Sequence, residues 1–215
     1  MKKALYRQLL ISAIAIFYLP SYGREDQLLE IMKHELKREF EIYSKQPLPC
    51  YYLEYRVDEI RSTKLECSFG SLVEDESDSM RILSVTSRIG DYRLDNTHEV
   101  EKNGSLYNPF SLSLPIENNE KAIRMILWKA TQYAVRDAIN TYNKVLTAQK
   151  NPSDIPDFSK ESTYIYHEPL MPVRYPVKEE WLRRLKKYTS RFVGNENIIR
   201  ADANLSCKYY RKYLI

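Results

Sequence analysis

The sequence predicts an α+β fold, an antiparallel β-sheet covered by helices. Three observations carry that reading. Apolar residues alternate with polar ones over 51–57, 63–73, 80–89 and 199–215, the period of strands with one wet face. They recur at helical spacing over 26–45, 119–148 and 177–193. The connections between the first strands are too short to hold a crossover helix, which favours antiparallel pairing of chain neighbours.

In the helix expected over 26–45, Leu28, Leu29, Met32, Leu36, Phe40 and Tyr43 form the buried stripe. Asp26 is placed to cap its first turn, and Pro47 and Pro49 end it. Tyr51, Leu53, Tyr55 and Val57 then share one face, with Glu54 and Arg56 opposite. Thr63, Leu65, Cys67 and Phe69 share another, with Lys64, Glu66 and Ser68 opposite. The acidic run Glu74-Asp75-Glu76-Ser77-Asp78 reads as a turn or solvated loop. Leu83, Val85 and Ile89 mark a strand after it, broken by Gly90-Asp91. Residues 95–118 read as loop.

The longest helix is expected over 119–148, with a stripe of Ile123, Ile126, Leu127, Ala130, Ala134, Ala138, Tyr142 and Val145. Its alanines allow close approach to a sheet. Five prolines (Pro152, Pro156, Pro169, Pro172, Pro176) make 151–177 an extended linker. The helix over 177–193 is expected to bury Trp181, Leu185, Tyr188 and Phe192, leaving Arg183, Arg184, Lys186 and Lys187 in solvent. From Ile199 onward the odd positions are apolar, Arg211 being the exception. An unpaired strand there would invite pairing with another chain.

Composition narrows the function classes. Lys2, Lys3 and Arg7 precede the apolar stretch Leu9–Leu19, and Pro20-Ser21-Tyr22-Gly23 follows it. That is the pattern of a signal peptide, and the stretch is short for a membrane span; an uncleaved N-terminal anchor is the alternative. Without those three residues, 30 basic side chains face 29 acidic ones, so the formal net charge of +4 does not make a nucleic-acid footprint. Three cysteines are too few and too odd in number for a disulfide scaffold. Buried thiols are expected at Cys67 and Cys207, and a bridge between them is the alternative.

No catalytic constellation assembles. His34, His98 and His167 stand alone, and none belongs to a His-Glu-x-x-His motif. Ser68-Phe69-Gly70-Ser71 is a weak echo of a nucleophile elbow, and no glycine loop cradles phosphate. One polar cluster is unusual: Arg88, Asp91, Tyr92, Asp95 and Asn96 surround Gly90 at a strand end. Such residues serve binding, and the same residues also build a tight turn.

Several segments in order carry a family resemblance. They are "PCYYLEYRVDE", "LECSFGSLVEDESDSMRILSVTSRIGDYRLDNT", "LPIENNEKAIRMILWKATQYAVRDAINTYNKVL", "DFSKE" and "ADANLSCKYYRKYLI". Over residues 25–215 the chain resembles the front part of exported TldD/PmbA-related proteins, TldD-like metallopeptidases also known as modulators of DNA gyrase. The resemblance implies an α+β front domain, zinc in the full-length family, action on short or unfolded peptides, and homo- or heterodimers. The family's metal motif, His-Glu followed three residues later by His or Asp, matches nothing here. No metal ligand or catalytic residue carries over, and no cofactor is expected in this chain.

The expected organisation is a signal peptide (1–23), a TldD/PmbA-like front domain (24–150), the proline-rich linker (151–177) and a helix plus strand completing or leading on from the domain (178–215). The expected role is the non-catalytic, substrate-channel and dimerisation part of an exported zinc metallopeptidase, cut before its metal motif. A stand-alone exported module that binds peptides or pairs with a full-length relative is the alternative. Either would sit in the periplasm or outside the cell, with no nucleic acid bound and no membrane attachment once the signal is removed.

Overall fold

The computed structural model describes residues 26–99, 110–148, 155–169 and 176–215. The expected signal peptide lies outside them. Three helices and five strands are described: α1 (Gln27–Tyr43), β1 (Cys50–Ser68), β2 (Ser71–Ile89), β3 (Phe110–Leu114), α2 (Glu120–Ala148), β4 (Tyr166–His167), α3 (Lys178–Ser190) and β5 (Asp202–Leu214). The strands form one antiparallel sheet in the order β3-β2-β1-β5-β4. The architecture is α+β, as expected.

The centre of the sheet is a long hairpin. The segments 51–57 and 63–68, expected in separate strands, join in one 19-residue strand, β1, while the end of the expected strand 63–73 is cut off by a turn and residues 71–73 belong to β2. The acidic run 74–78, expected as a turn or loop, is instead part of β2. Its side chains tolerate a strand because that stretch is an edge: β3 pairs only with Arg81–Val85, and no described residue pairs with the other side of Ser71–Met80. The turn lies earlier, at Phe69 (φ 45°) and Gly70 (φ 83°), enclosed by the Ser68–Ser71 pair. Two positive φ values in a two-residue loop match the right-handed twist of the flanking strands. The Gly70 amide donates to Thr189 Oγ1 (2.9 Å), which ties the turn to α3.

All three helices cover the same face. Leu53, Tyr55, Val57, Leu83, Val85 and Ile89 pack against α1 and α2 in the main core. Leu65 and Cys67 pack against Leu185 of α3 in a smaller one. Of the expected α2 stripe, Ile123, Leu127, Ala130, Ala134, Ala138 and Val145 are buried and Ile126 and Tyr142 half-buried, while Thr131, Val135 and Thr141 are buried as well; Thr131 Oγ1 lies 2.6 Å from the buried Tyr55 hydroxyl. Asp26 caps α1 through the amides of Leu28 and Leu29.

Three aromatic residues expected inside are not there: Phe40, Tyr188 and Phe192 are exposed. On α1 the positions facing the core are taken by Glu35 and Glu39, each 1% exposed and both bonded by the Arg38 guanidinium. Arg124 of α2 also donates to Glu35, at 3.2 Å. Burial pushes the Glu39 carboxyl upward, and Arg38 offsets that push only in part.

Between the two cores runs a buried ionic belt. Glu59 on β1 accepts from Arg61 (2.7 Å) and Arg81 (3.2 Å), and Arg81 also donates to Asn118 (2.7 Å). Beside Glu59 on β5 stands Arg211, the exception in the apolar alternation. It is 6% exposed and pairs with Asp26, which also accepts from the Tyr213 hydroxyl at 3.0 Å. Arg211 thus keeps the inward phase of its strand and finds a carboxylate there.

The opposite face of the sheet has no helix on it among the described residues. None of the residues Glu54, Arg56, Asp58, Ile60, Ser62, Lys64 and Glu66 of β1 is buried, although β1 is central. Its β2 and β5 neighbours there include Met80, Asp78, Tyr210 and Lys208. Within the span expected as loop, Phe110–Leu114 forms β3. Within the expected linker, Tyr166–His167 forms β4, which pairs only with Leu214 and Tyr213. Beyond these contacts and that of Glu168 with Lys212, the outer edge of β5 from Asp202 to Arg211 is unpaired among the described residues. The final strand therefore lies inside the sheet at one end and on its edge at the other. The three cysteines are free. Cys67 stands opposite Ala203 and Cys207 opposite Thr63, which excludes the alternative bridge.

Candidate functional site

The cluster Arg88, Asp91, Tyr92, Asp95 and Asn96 is brought together where β2 ends. Gly90 makes the bend at φ 112°, and a Cβ there would meet the Leu94 carbonyl at 2.4 Å and the Tyr142 ring at 2.8 Å. Asp91 Oδ1 accepts from the amides of Arg93 (2.7 Å) and Leu94 (3.1 Å), which closes the turn. Asn96 is buried; its side chain accepts from the Ile89 amide (2.7 Å) and donates to the Ser87 carbonyl (3.3 Å), replacing a strand partner.

Asp95 is fully buried and collects donors. The Tyr51 hydroxyl (2.5 Å), Arg88 Nη1 (2.8 Å), and the Thr97 amide and hydroxyl (both 2.6 Å) all point at its carboxylate. Burial alone would raise the acid's pKa. The bonds from Thr97, Tyr51 and Arg88 outweigh it and hold the carboxyl below its ordinary range. Burial and the neighbouring Asp95 push the Tyr51 phenol far up, so it stays a donor.

Sequence reasoning missed the other half of this knot. Asp157 and Phe158, from the expected linker, close it. The Asp95 amide donates to Asp157 Oδ2 (2.9 Å), His98 Nδ1 lies 2.6 Å from Asp157 Oδ1, and the Phe158 amide donates to the Tyr92 carbonyl (3.2 Å). The Arg88 guanidinium stacks 4.0 Å from the Phe158 ring, and Tyr92 stacks parallel to that ring at 6.4 Å. The only trace of this in the sequence is the short run "DFSKE". Nothing local in it announces contacts reaching 62 residues back along the chain.

Chemically the knot behaves as a latch. Asp95 and Asn96 are buried and bonded to internal donors and acceptors, and Asp91 Oδ1 is taken up by the turn. Arg88 Nε is the one buried side-chain nitrogen or oxygen without a partner among the described residues. The Asp91 and Asn96 bonds are those the tight-turn alternative calls for. The zinc that the resemblance implies for full-length proteins finds no fitting donor set among the described residues. His98 and Asp157 form a pair only, and no group of three His, Cys, Asp or Glu side chains converges. Ser68-Phe69-Gly70-Ser71, the echo of a nucleophile elbow, is the hairpin turn.

Comparison with solved structures finds likenesses of chain trace. One is TldE from Thermococcus kodakarensis, at 10% identity and a TM-score of 0.44 over 86% of this chain. Another is a candidate modulator of a DNA gyrase from Thermotoga maritima, at 11% identity and a TM-score of 0.41 over 85% of this chain. The chain spans 34% of the length of each. No family model matches the sequence, and no curated protein matches it. Identities this low carry no residue roles across.

Proposed function

We propose that this chain is a non-catalytic substrate-handling and dimerisation module of an exported TldD/PmbA-like zinc metallopeptidase. It holds an extended polypeptide against its sheet, and the metal chemistry belongs to residues other than those described. The observation that carries this reading is the sheet face free of helices among the described residues, with its two open edges, Ser71–Met80 of β2 and Asp202–Arg211 of β5. An open edge offers a row of backbone donors and acceptors, and an extended peptide completes them by adding a strand. The sequence resemblance supports the family assignment, and the charged-then-apolar N-terminus supports export to the periplasm or beyond.

The test uses the purified chain and fluorescein-labelled, reduced and alkylated casein. The proposal expects saturable binding by anisotropy and an unchanged fragment pattern, with zinc or with chelator. Chelator-sensitive cleavage contradicts the non-catalytic assignment, and absence of binding contradicts substrate handling. A second reading, a stand-alone exported module pairing with a full-length relative, draws on the open β5 edge. It expects such a relative to co-purify and casein to be ignored.

A further inference from the structure

A concave groove of about 550 Å³ runs along α2 beside the C-terminal end of α1. Small-molecule sites span roughly 300–1,000 Å³. Tyr43, Trp128 and Tyr133 give it aromatic walls, and the buried Val135 gives it an apolar floor. Lys129 and Arg136 are the only charged residues in the lining.

These two cations differ from their neighbours. Arg38 is paired with Glu35 and Glu39, and Arg124 with Glu35 and Glu120. Lys129 and Arg136 have no carboxylate partner among the described residues. Both lie against Tyr133 instead, Lys129 Nζ at 5.9 Å from the ring centre and Arg136 Cζ at 4.9 Å. Tyr133 is itself held by Phe110 of β3, ring centres 5.3 Å apart, so the cations rest on a braced ring. Trp128 is 41% exposed beside them, a large apolar surface left in water.

We propose that this groove binds a small organic anion, a carboxylate carried on an aromatic or branched aliphatic body. The guanidinium of Arg136 matches a carboxylate's two oxygens, and Lys129 adds a second positive charge. The body lies against Trp128 and Tyr43, and apolar contact there adds to the charge term. Uncompensated positive charge in a partly apolar groove selects against neutral isosteres. The proposal is independent of the peptidase reading, since the groove lies on the helical side and the uncovered sheet face on the other.

Trp181→Phe leaves Trp128 as the sole tryptophan, whose fluorescence reports on the groove. The protein is titrated with 3-phenylpropionate and, separately, with neutral 3-phenylpropionamide. The expected result is a saturable change with the acid and binding about tenfold or more weaker with the amide. Lys129→Gln/Arg136→Gln, added on the same background, abolishes acid binding while the thermal midpoint stays put, because both side chains are exposed. The comparison of acid with amide stands without the double variant. Equal binding of the two compounds, or no binding of either, overturns the proposal. So does a Trp128 blue shift with phosphatidylglycerol vesicles and none with the soluble acid, which assigns the cations to a membrane surface.

Discussion

Gly90 and Asp95 set the geometry of the strand end, one by lacking a side chain and the other by saturating its own. At Gly90 the backbone is left-handed and two neighbours stand where a Cβ would go, so Gly90→Ala combines strain with a clash. The expected loss is about 2 kcal/mol or more, read as a lower urea midpoint at an unchanged slope. Asp95 yields a pH prediction. Its pKa in the fold lies below the ordinary value of 3.8, so its stabilising contribution is present above that value and lost as pH falls through the depressed one. Asp95→Asn should therefore cost about 2–4 kcal/mol at pH 7, because Arg88 and Tyr51 lose a charged acceptor. The gap to the unaltered protein should narrow below about pH 4. A gap that stays constant from pH 7 to pH 3 would show that the Asp95 charge contributes nothing.

The elements were legible wherever one face is apolar and the other polar. The α2 stripe, the β1 and β2 alternations and the Asp26 cap all follow from period and chemistry. The reading failed where a long-range partner overrides a local signal. Glu35 and Glu39 are buried where Arg38 and Arg124 pair with them, while Phe40, counted in the apolar stripe, is exposed. The acidic run of β2 looks like a loop because nothing local tells an edge strand from a turn. Strand β4 and the latch residues Asp157 and Phe158 were invisible for a similar reason, since their partners lie far back or far on in the chain. The thiols test the assigned faces. Cys50 and Cys67 are buried, and burial pushes the Cys50 thiol up to about 11. Iodoacetamide at pH 8 should therefore modify Cys207 first, with Cys50 and Cys67 reacting only on unfolding. Early labelling of Cys50 would contradict the packing of β1 against the helices.

At the scale of the whole molecule, a helical layer, two cores and an ionic belt all lie on one side of a long sheet. The other side has no helical cover among the described residues, and β2 and β5 have open edges at the end remote from the latch. That asymmetry is the basis for the proposed polypeptide-handling role. Hydrogen–deuterium exchange of the chain with and without the unfolded casein probe tests it most directly. Unpaired edge amides exchange quickly and slow when a strand is added beside them. Slowed exchange within Ser71–Met80 or Asp202–Arg211, with α1 and α2 unchanged, is the predicted result. Protection confined to the helical side, or none at all, would contradict the account.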